Sequence, residues 1–189
     1  IKTILLFNKM DIYNEDELQK IRTLVKVYEN IGYTCICITA LTGKNIAEVK
    51  ALMAGKVSLF SGHSGVGKST LLNTLEPGLA LRTSAISEQH NQGQHTTTFA
   101  EMFDLEADTK IIDTPGIKGF GMVAMDKEEL GDYFPELFAL KPYCKFHNCL
   151  HMDEPKCAVK EAVAEHKIAV SRYESYLQIL QHEEGDYRT

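Results

Sequence analysis

Val57-Ser58-Leu59-Phe60-Ser61-Gly62-His63-Ser64-Gly65-Val66-Gly67-Lys68-Ser69-Thr70 decides how this chain folds. Val57 to Phe60 reads as a strand, Gly62 to Lys68 as a glycine-rich loop, and Ser69 to Leu75 as the start of a helix. Gly62 to Ser69 fits G-x-x-x-x-G-K-[ST]. The glycines let the backbone curl so that several N–H groups point at one phosphate group, and the following helix adds its positive end. Lys68 would reach the β- and γ-phosphates and the Ser69 hydroxyl would ligate Mg²⁺, with His63, Ser64, Gly65, Val66, Gly67 and Thr70 completing the cradle.

Three further motifs follow short apolar runs. Ile4 to Phe7 reads as a strand ending in Asn8-Lys9-Met10-Asp11, an N-K-x-D motif. A carboxylate at Asp11 can accept from N1–H and the 2-amino group of guanine, a donor pair that adenine lacks. This favours GTP and leaves an ATP-dependent reading weaker. Asn8 and Lys9 would brace the loop, the Lys9 stem lying along the base. Tyr33 to Thr39 reads as another strand, and Thr39-Ala40-Leu41 after it resembles an S-A-x loop whose backbone N–H meets the guanine O6. Asp113-Thr114-Pro115-Gly116 closes the Lys110 to Ile112 strand. Asp113 would hold Mg²⁺ through water, and the Gly116 N–H would meet the γ-phosphate.

Further out, Glu15 to Asn30 carries a helical stripe at Leu18, Ile21, Leu24, Val25 and Tyr28, with Gly32 as its stop, and Ile46 to Ala54 predicts a second helix. Strands alternating with helices predict a parallel sheet covered on both faces. Thr83 to Thr98 reads as a polar loop, Phe99 to Leu105 and Lys110 to Ile112 as a hairpin, and Lys118 to Gly121 as a flexible Gly-rich stretch. Lys127 to Leu140 predicts a helix broken near Pro135, and Ala158 to Leu180 one long amphipathic helix.

The chain has 189 residues, 44% hydrophobic and 24% charged, with net charge -6 and a pI near 5.6. That composition excludes wholesale disorder and a globally basic nucleic-acid coat. From Lys141 to Tyr173, six Lys/Arg against four Asp/Glu make the segment about +2, an RNA-facing patch or an ordinary solvated face. No run has the length of a membrane span and no signal peptide opens the chain. The opening Ile1 sits inside an apolar run, so a longer parent chain is expected.

Cys144-x₄-Cys149-x-His151-x₅-Cys157 supplies three thiolates and one imidazole, a set that suits tetrahedral Zn²⁺ in a closed structural site. His147 is a rival for the imidazole place. Cys35 and Cys37 read as small core residues.

With N-K-x-D ahead of the phosphate loop, the motif order resembles that of the circularly permuted GTPases. Gly93-Gln94-His95-Thr96-Thr97-Thr98, D-T-P-G and the Cys/His cluster together resemble the RsgA (YjeQ) family, over nearly the whole chain. The resemblance implies an α/β fold: a circularly permuted Ras-like P-loop GTPase with a mostly parallel sheet and helices on both faces. A small zinc-binding α-helical module would follow. Residues 1–125 would form the GTPase domain, short of the strand and helix that normally precede N-K-x-D, and residues 126–189 the zinc domain. The family's N-terminal OB-fold is absent from this chain. The resemblance favours His151 over His147. It implies GTP/GDP with Mg²⁺, structural Zn²⁺, and action as a cytoplasmic monomer in late maturation of the small ribosomal subunit, with its rRNA as partner. Turnover would be slow alone and stimulated by the ribosome, or hydrolysis would only reset a GTP-controlled RNA- or protein-binding switch. Where Ras-like enzymes place a water-orienting Gln, this chain has Ile117. His95 would position water or else bind RNA or fix its loop, and Thr97 or Thr98 (the latter taken as the Mg²⁺ ligand) would reach the γ-phosphate.

Overall fold

The computed structural model describes residues 1–81, 100–114 and 126–181. The chain forms two compact units, Ile1–Lys118 and Gly119–Thr189.

In the first unit the order is β1 (Ile4–Phe7), α1 (Glu15–Ile31), β2 (Thr34–Cys37), α2 (Ile46–Met53), β3 (Val57–Phe60), α3 (Lys68–Leu75), β4 (Glu101–Asp104) and β5 (Lys110–Asp113). Helix α1 starts where Asn14 and Glu17 cap one another: Glu17 N–H donates to Asn14 Oδ1 at 3.0 Å, and Asn14 N–H to Glu17 Oε2 at 2.9 Å. Glu15, Asp16 and Glu17 then meet the positive end of the helix. It stops at Gly32, whose φ of 105° is the left-handed value that glycine adopts without strain. Its inner stripe is half-buried at Leu18, Ile21, Val25 and Tyr28, while Leu24 faces solvent.

Strand β1 pairs with β2 in parallel, Ile4 opposite Thr34 through Phe7 opposite Cys37. Strand β3 pairs with β5 in parallel, Val57 opposite Lys110 through Phe60 opposite Asp113, and β4 lies antiparallel on the far edge of β5. Among the described residues these are two sheets, β1-β2 and β3-β5-β4, where the alternation predicted one. Alternation sets the direction of successive strands but not which edges meet. Ile36 and Ile38 at the end of β2, Ile46, Val49 and Met53 on α2, Leu71, Leu72 and Leu75 on α3, and Ile111 on β5 share one core. Burying each such side chain contributes about 1.5–3 kcal/mol. On the other face of the three-stranded sheet, Val57, Leu59 and Met102 are exposed.

The second unit contains α4 (Lys127–Leu130), α5 (Pro135–Phe138), α6 (Ala158–Ala164) and α7 (Val170–Gln181), with 3₁₀ turns at Gly131–Tyr133 and Lys141–Tyr143. The predicted break falls at Phe134, which the following proline holds in an extended conformation. The long helix predicted over Ala158 to Leu180 is instead two. His166 takes a φ of 59°, its N–H donates to Val163 O at 3.0 Å, and Lys167 N–H reaches back to Ala162 O at 2.8 Å. These are the two bonds of a Schellman stop, made here without a glycine. The turn drops Ile168 into a core shared with Leu130, Phe134, Leu137, Val159, Tyr176 and Leu180. Arg172 binds both carboxylate oxygens of Glu136, at 2.6 and 3.3 Å, and lies over the Phe134 ring. No helix among the described residues is long and apolar enough to cross a membrane.

Candidate guanine-nucleotide and metal sites

All four motifs of the first unit follow the C-terminal ends of strands, where open α/β sheets bind their ligands. Asn8 follows β1 and Thr39 lies just beyond β2. Gly62 follows β3, and Asp113 closes β5 level with Phe60. The Asn8 carboxamide joins three of them. Its Nδ2 donates to Val66 O at 3.0 Å, and its Oδ1 accepts from Lys9 N at 2.8 Å and from Ala40 N at 3.0 Å. Lys9, in a left-handed conformation, donates its ammonium to Gly65 O at 2.6 Å. A peptide's N–H points opposite to its C=O. Holding the Gly65 and Val66 carbonyls therefore fixes the direction of the Val66 and Gly67 N–H groups. Gly67 has a φ of 90°, and a Cβ there would stand 2.5 Å from Asn8 Nδ2, so glycine serves both the backbone angle and the close approach.

Helix α3 begins at Lys68, with Ser69 and Thr70 in its first turn. Thr74 ties the helix to the Thr39-Ala40-Leu41 loop, donating at 2.8 Å to Ala40 O. Thr39 and Ala40 are buried, and Leu41 is exposed. The Lys68 ammonium bonds the Asp113 carboxylate and the Thr114 carbonyl, and Thr114 Oγ1 donates to Phe60 O at 2.8 Å. Asp113 is buried, so its charge requires such a partner. Asp11 lies in the exposed turn beyond Lys9. His63 and Ser64 lie in the loop itself. His95, Thr97, Thr98 and Gly116 lie outside the described residues, as do the stretches Thr83 to Thr98 and Lys118 to Gly121.

In the second unit Cys144, Cys149, His151 and Cys157 converge, their ligand atoms all within 4.8 Å of one another. Cys144 Sγ lies 3.7 Å from His151 Nδ1 and 3.9 Å from Cys157 Sγ, and His151 Nδ1 lies 3.4 Å from Cys157 Sγ. A tetrahedral zinc with bonds of about 2.3 Å to sulfur and about 2.0 Å to nitrogen has edges of about 3.8 and about 3.5 Å. The donor set and its spacing therefore fit Zn²⁺, and His147 lies outside the cluster. Burial pushes the Cys149 thiol up to about 12, raises Cys157, and lowers His151. A divalent cation would offset that cost by holding the sulfurs as thiolates.

Groups the sequence reading did not single out hold the ligand loop. The Glu154 carboxylate accepts from Leu150 N–H at 2.7 Å and from Met152 N–H at 2.8 Å. Burial works against that carboxylate, yet these bonds bring its pKa below the ordinary value. Tyr173 donates its hydroxyl to His151 O at 2.5 Å and Tyr176 to Leu150 O at 2.7 Å. Helical periodicity over Ala158 to Leu180 places both tyrosines with Val159, Ala162, Leu177 and Leu180 on one apolar stripe, which shows spacing but not where a phenol hydroxyl points.

The model of the RsgA GTPase family matches residues 1–123. The chain belongs to this family. The small ribosomal subunit biogenesis GTPase RsgA of Christiangramia forsetii is 61% identical over 188 residues, which is 100% of this chain and 60% of that protein. The protein of the same name from Flavobacterium psychrophilum is 59% identical over 189 residues, 100% of this chain and 58% of that one. Among solved structures, YjeQ from Thermotoga maritima superposes with a TM-score of 0.78 at 39% identity, covering 96% of this chain and 61% of that one. YloQ, described as a circularly permuted GTPase, gives 0.72 at 29% identity, covering 94% and 55%. The fold of the RsgA family, with its permuted motif order, is thus the fold of this chain. The chain spans about 60% of the length of the first two curated relatives.

Proposed function

We propose that this chain is the nucleotide-binding and metal-binding part of a cytoplasmic GTP hydrolase that works, as a monomer, in late maturation of the small ribosomal subunit. The observation that carries the reading is the Asn8 carboxamide, which ties the guanine-selecting motif to the phosphate loop and to Ala40. The names of the relatives support the ribosomal part.

In this reading Asp11 accepts from the guanine edge, the Lys9 stem lines the base, and a backbone N–H of the Thr39-Ala40-Leu41 loop meets O6. The Gly62 to Thr70 segment cradles the phosphates. Lys68 would move from the Asp113 carboxylate to the β- and γ-phosphate oxygens, and Asp113, Ser69 and Thr98 would hold Mg²⁺. The bound ion neutralises phosphate charge. Thr97 and the Gly116 N–H meet the γ-phosphate, and His95 positions water. The chain contributes positioning and charge stabilisation, and rRNA of the subunit completes the site. Cys144, Cys149, His151 and Cys157 hold a structural zinc.

GTP turnover by the chain with and without small ribosomal subunits tests this. Stimulation by subunits, with nucleotide binding competed by GTP and not by ATP, is the expected result. Absence of stimulation with GTP-dependent subunit binding intact would leave a switch in which hydrolysis only resets the state.

A further inference from the structure

A histidine ligates a metal only if its ring is aimed, and here the aim is set by groups outside the cluster. His151 takes a φ of 58°, in the left-handed region that side-chain-bearing residues rarely occupy. Its Nδ1 is the ring nitrogen that faces the sulfurs, 3.7 Å from Cys144 Sγ and 3.4 Å from Cys157 Sγ. The direction of its Cβ, and of the ring beyond, follows from the two peptide planes that flank the residue. Each plane is rigid, and only φ and ψ turn one against the other.

Both planes are held. The plane before His151 carries the Leu150 carbonyl, which accepts from the Tyr176 hydroxyl at 2.7 Å. The plane after it carries the His151 carbonyl, which accepts from the Tyr173 hydroxyl at 2.5 Å, and the Met152 N–H, which donates to Glu154 at 2.8 Å. Tyr173 and Tyr176 stand three apart on α7, so they share one helix face and meet successive carbonyls of the loop. Their rings stack with centres 6.4 Å and planes 21° apart, and the Tyr176 ring also adjoins those of Phe134 and His151. Packing therefore gives each phenol hydroxyl one direction. One residue earlier, Arg172 ties α7 to Glu136 on α5. A buried phenol needs some acceptor. That need alone does not put two of them on the two planes of one ligand.

We propose that Tyr173 and Tyr176 are positioning residues for the metal: they hold His151 in its left-handed turn with Nδ1 toward the sulfurs, so that metal binding and the docking of α7 strengthen one another. Groups that orient a ligating histidine usually bond its second ring nitrogen, whereas these bond its backbone. The coupling is reciprocal: metal tightens α7 by the factor by which α7 tightens the metal. The proposal rests on the reading of Cys144, Cys149, His151 and Cys157 as a zinc site.

The test is competition for Zn²⁺ between a colorimetric chelator and the full chain, as wild type, Tyr173→Phe, Tyr176→Phe and the double variant. Phenylalanine keeps the ring and removes only the hydroxyl. Each single variant binds zinc about tenfold more weakly, and the double variant more weakly still. Substitution of Co²⁺ for zinc gives a second readout: the visible absorption bands of the cobalt site shift in the double variant, because the imidazole is no longer held in place. Circular dichroism of the zinc-loaded variants checks that α7 is intact. The single variants release the two planes separately, so if one fails to fold the other still decides. Zinc affinity within about twofold of the wild type, with unchanged cobalt bands, would overturn the proposal and leave the tyrosines as packing groups. A wild-type chain that takes up no zinc would instead overturn the zinc reading, and the proposal with it.

Discussion

Replacing Gly67 by alanine should damage the phosphate loop for two separable reasons. The backbone there has a φ of 90°, a region that costs a side-chain-bearing residue about 1–2 kcal/mol. The new Cβ would also stand 2.5 Å from Asn8 Nδ2, where ordinary contact begins at 3.4 Å. The carboxamide must therefore retreat by about 0.9 Å, and its 3.0 Å bond to Val66 O is lost. That bond is worth about 1 kcal/mol. The total of about 2–3 kcal/mol corresponds to a loss of roughly 30- to 150-fold in affinity for GDP. The assay is titration with a fluorescent GDP analogue in Mg²⁺, for Gly67→Ala, Asn8→Ala and the double variant. In the Asn8→Ala background only the backbone strain remains, so Gly67→Ala should then cost about 1 kcal/mol less than in the wild type. Equal costs in the two backgrounds would refute the idea that this glycine makes room for Asn8.

Three further outcomes are expected in the second unit. Chelation of zinc, or Cys149→Ser, should abolish metal binding measured by elemental analysis and melt α6 and α7 as read by circular dichroism, because four ligands hold a loop that the small core cannot hold unaided. Arg172→Ala should lower the stability of this unit by about 2–3 kcal/mol in thermal unfolding, since it leaves the largely covered Glu136 carboxylate uncompensated, and Arg172→Lys should rescue little of it because lysine cannot reproduce the two-oxygen contact. His166→Gly should raise stability by about 1 kcal/mol, seen as a higher midpoint, by relieving the left-handed strain at the helix stop.

Much of the candidate nucleotide site was legible because its chemistry is written in contiguous residues. The phosphate loop, the N-K-x-D turn and the D-T-P-G strand end each carry their own spacing, and the apolar stripe from Leu18 to Tyr28 marks α1. The Cys/His set was legible for the same reason: three sulfurs and a histidine within one loop. What the sequence concealed lies in side-chain direction and in backbone turns made by unexpected residues. No glycine or proline marks the stop after Ala164, which His166 makes instead by adopting a left-handed angle. The hydroxyls of Tyr173 and Tyr176 belong to an apolar stripe by periodicity and to the ligand loop by hydrogen bonding. Sheet pairing was concealed as well, since the contacts between strand edges leave no local mark.

The bonds made by Asn8 also bear on how the chain folds. They close loops of 32 residues to Ala40 and 58 residues to Val66. Contacts so distant in sequence form late, because the entropy of closing each loop is lost before the bond returns anything. A partly folded chain therefore lacks the guanine pocket, even with every motif present. A nucleotide that binds only the finished arrangement would draw the population toward it, so the ligand itself would become one of the contacts holding the first 66 residues together.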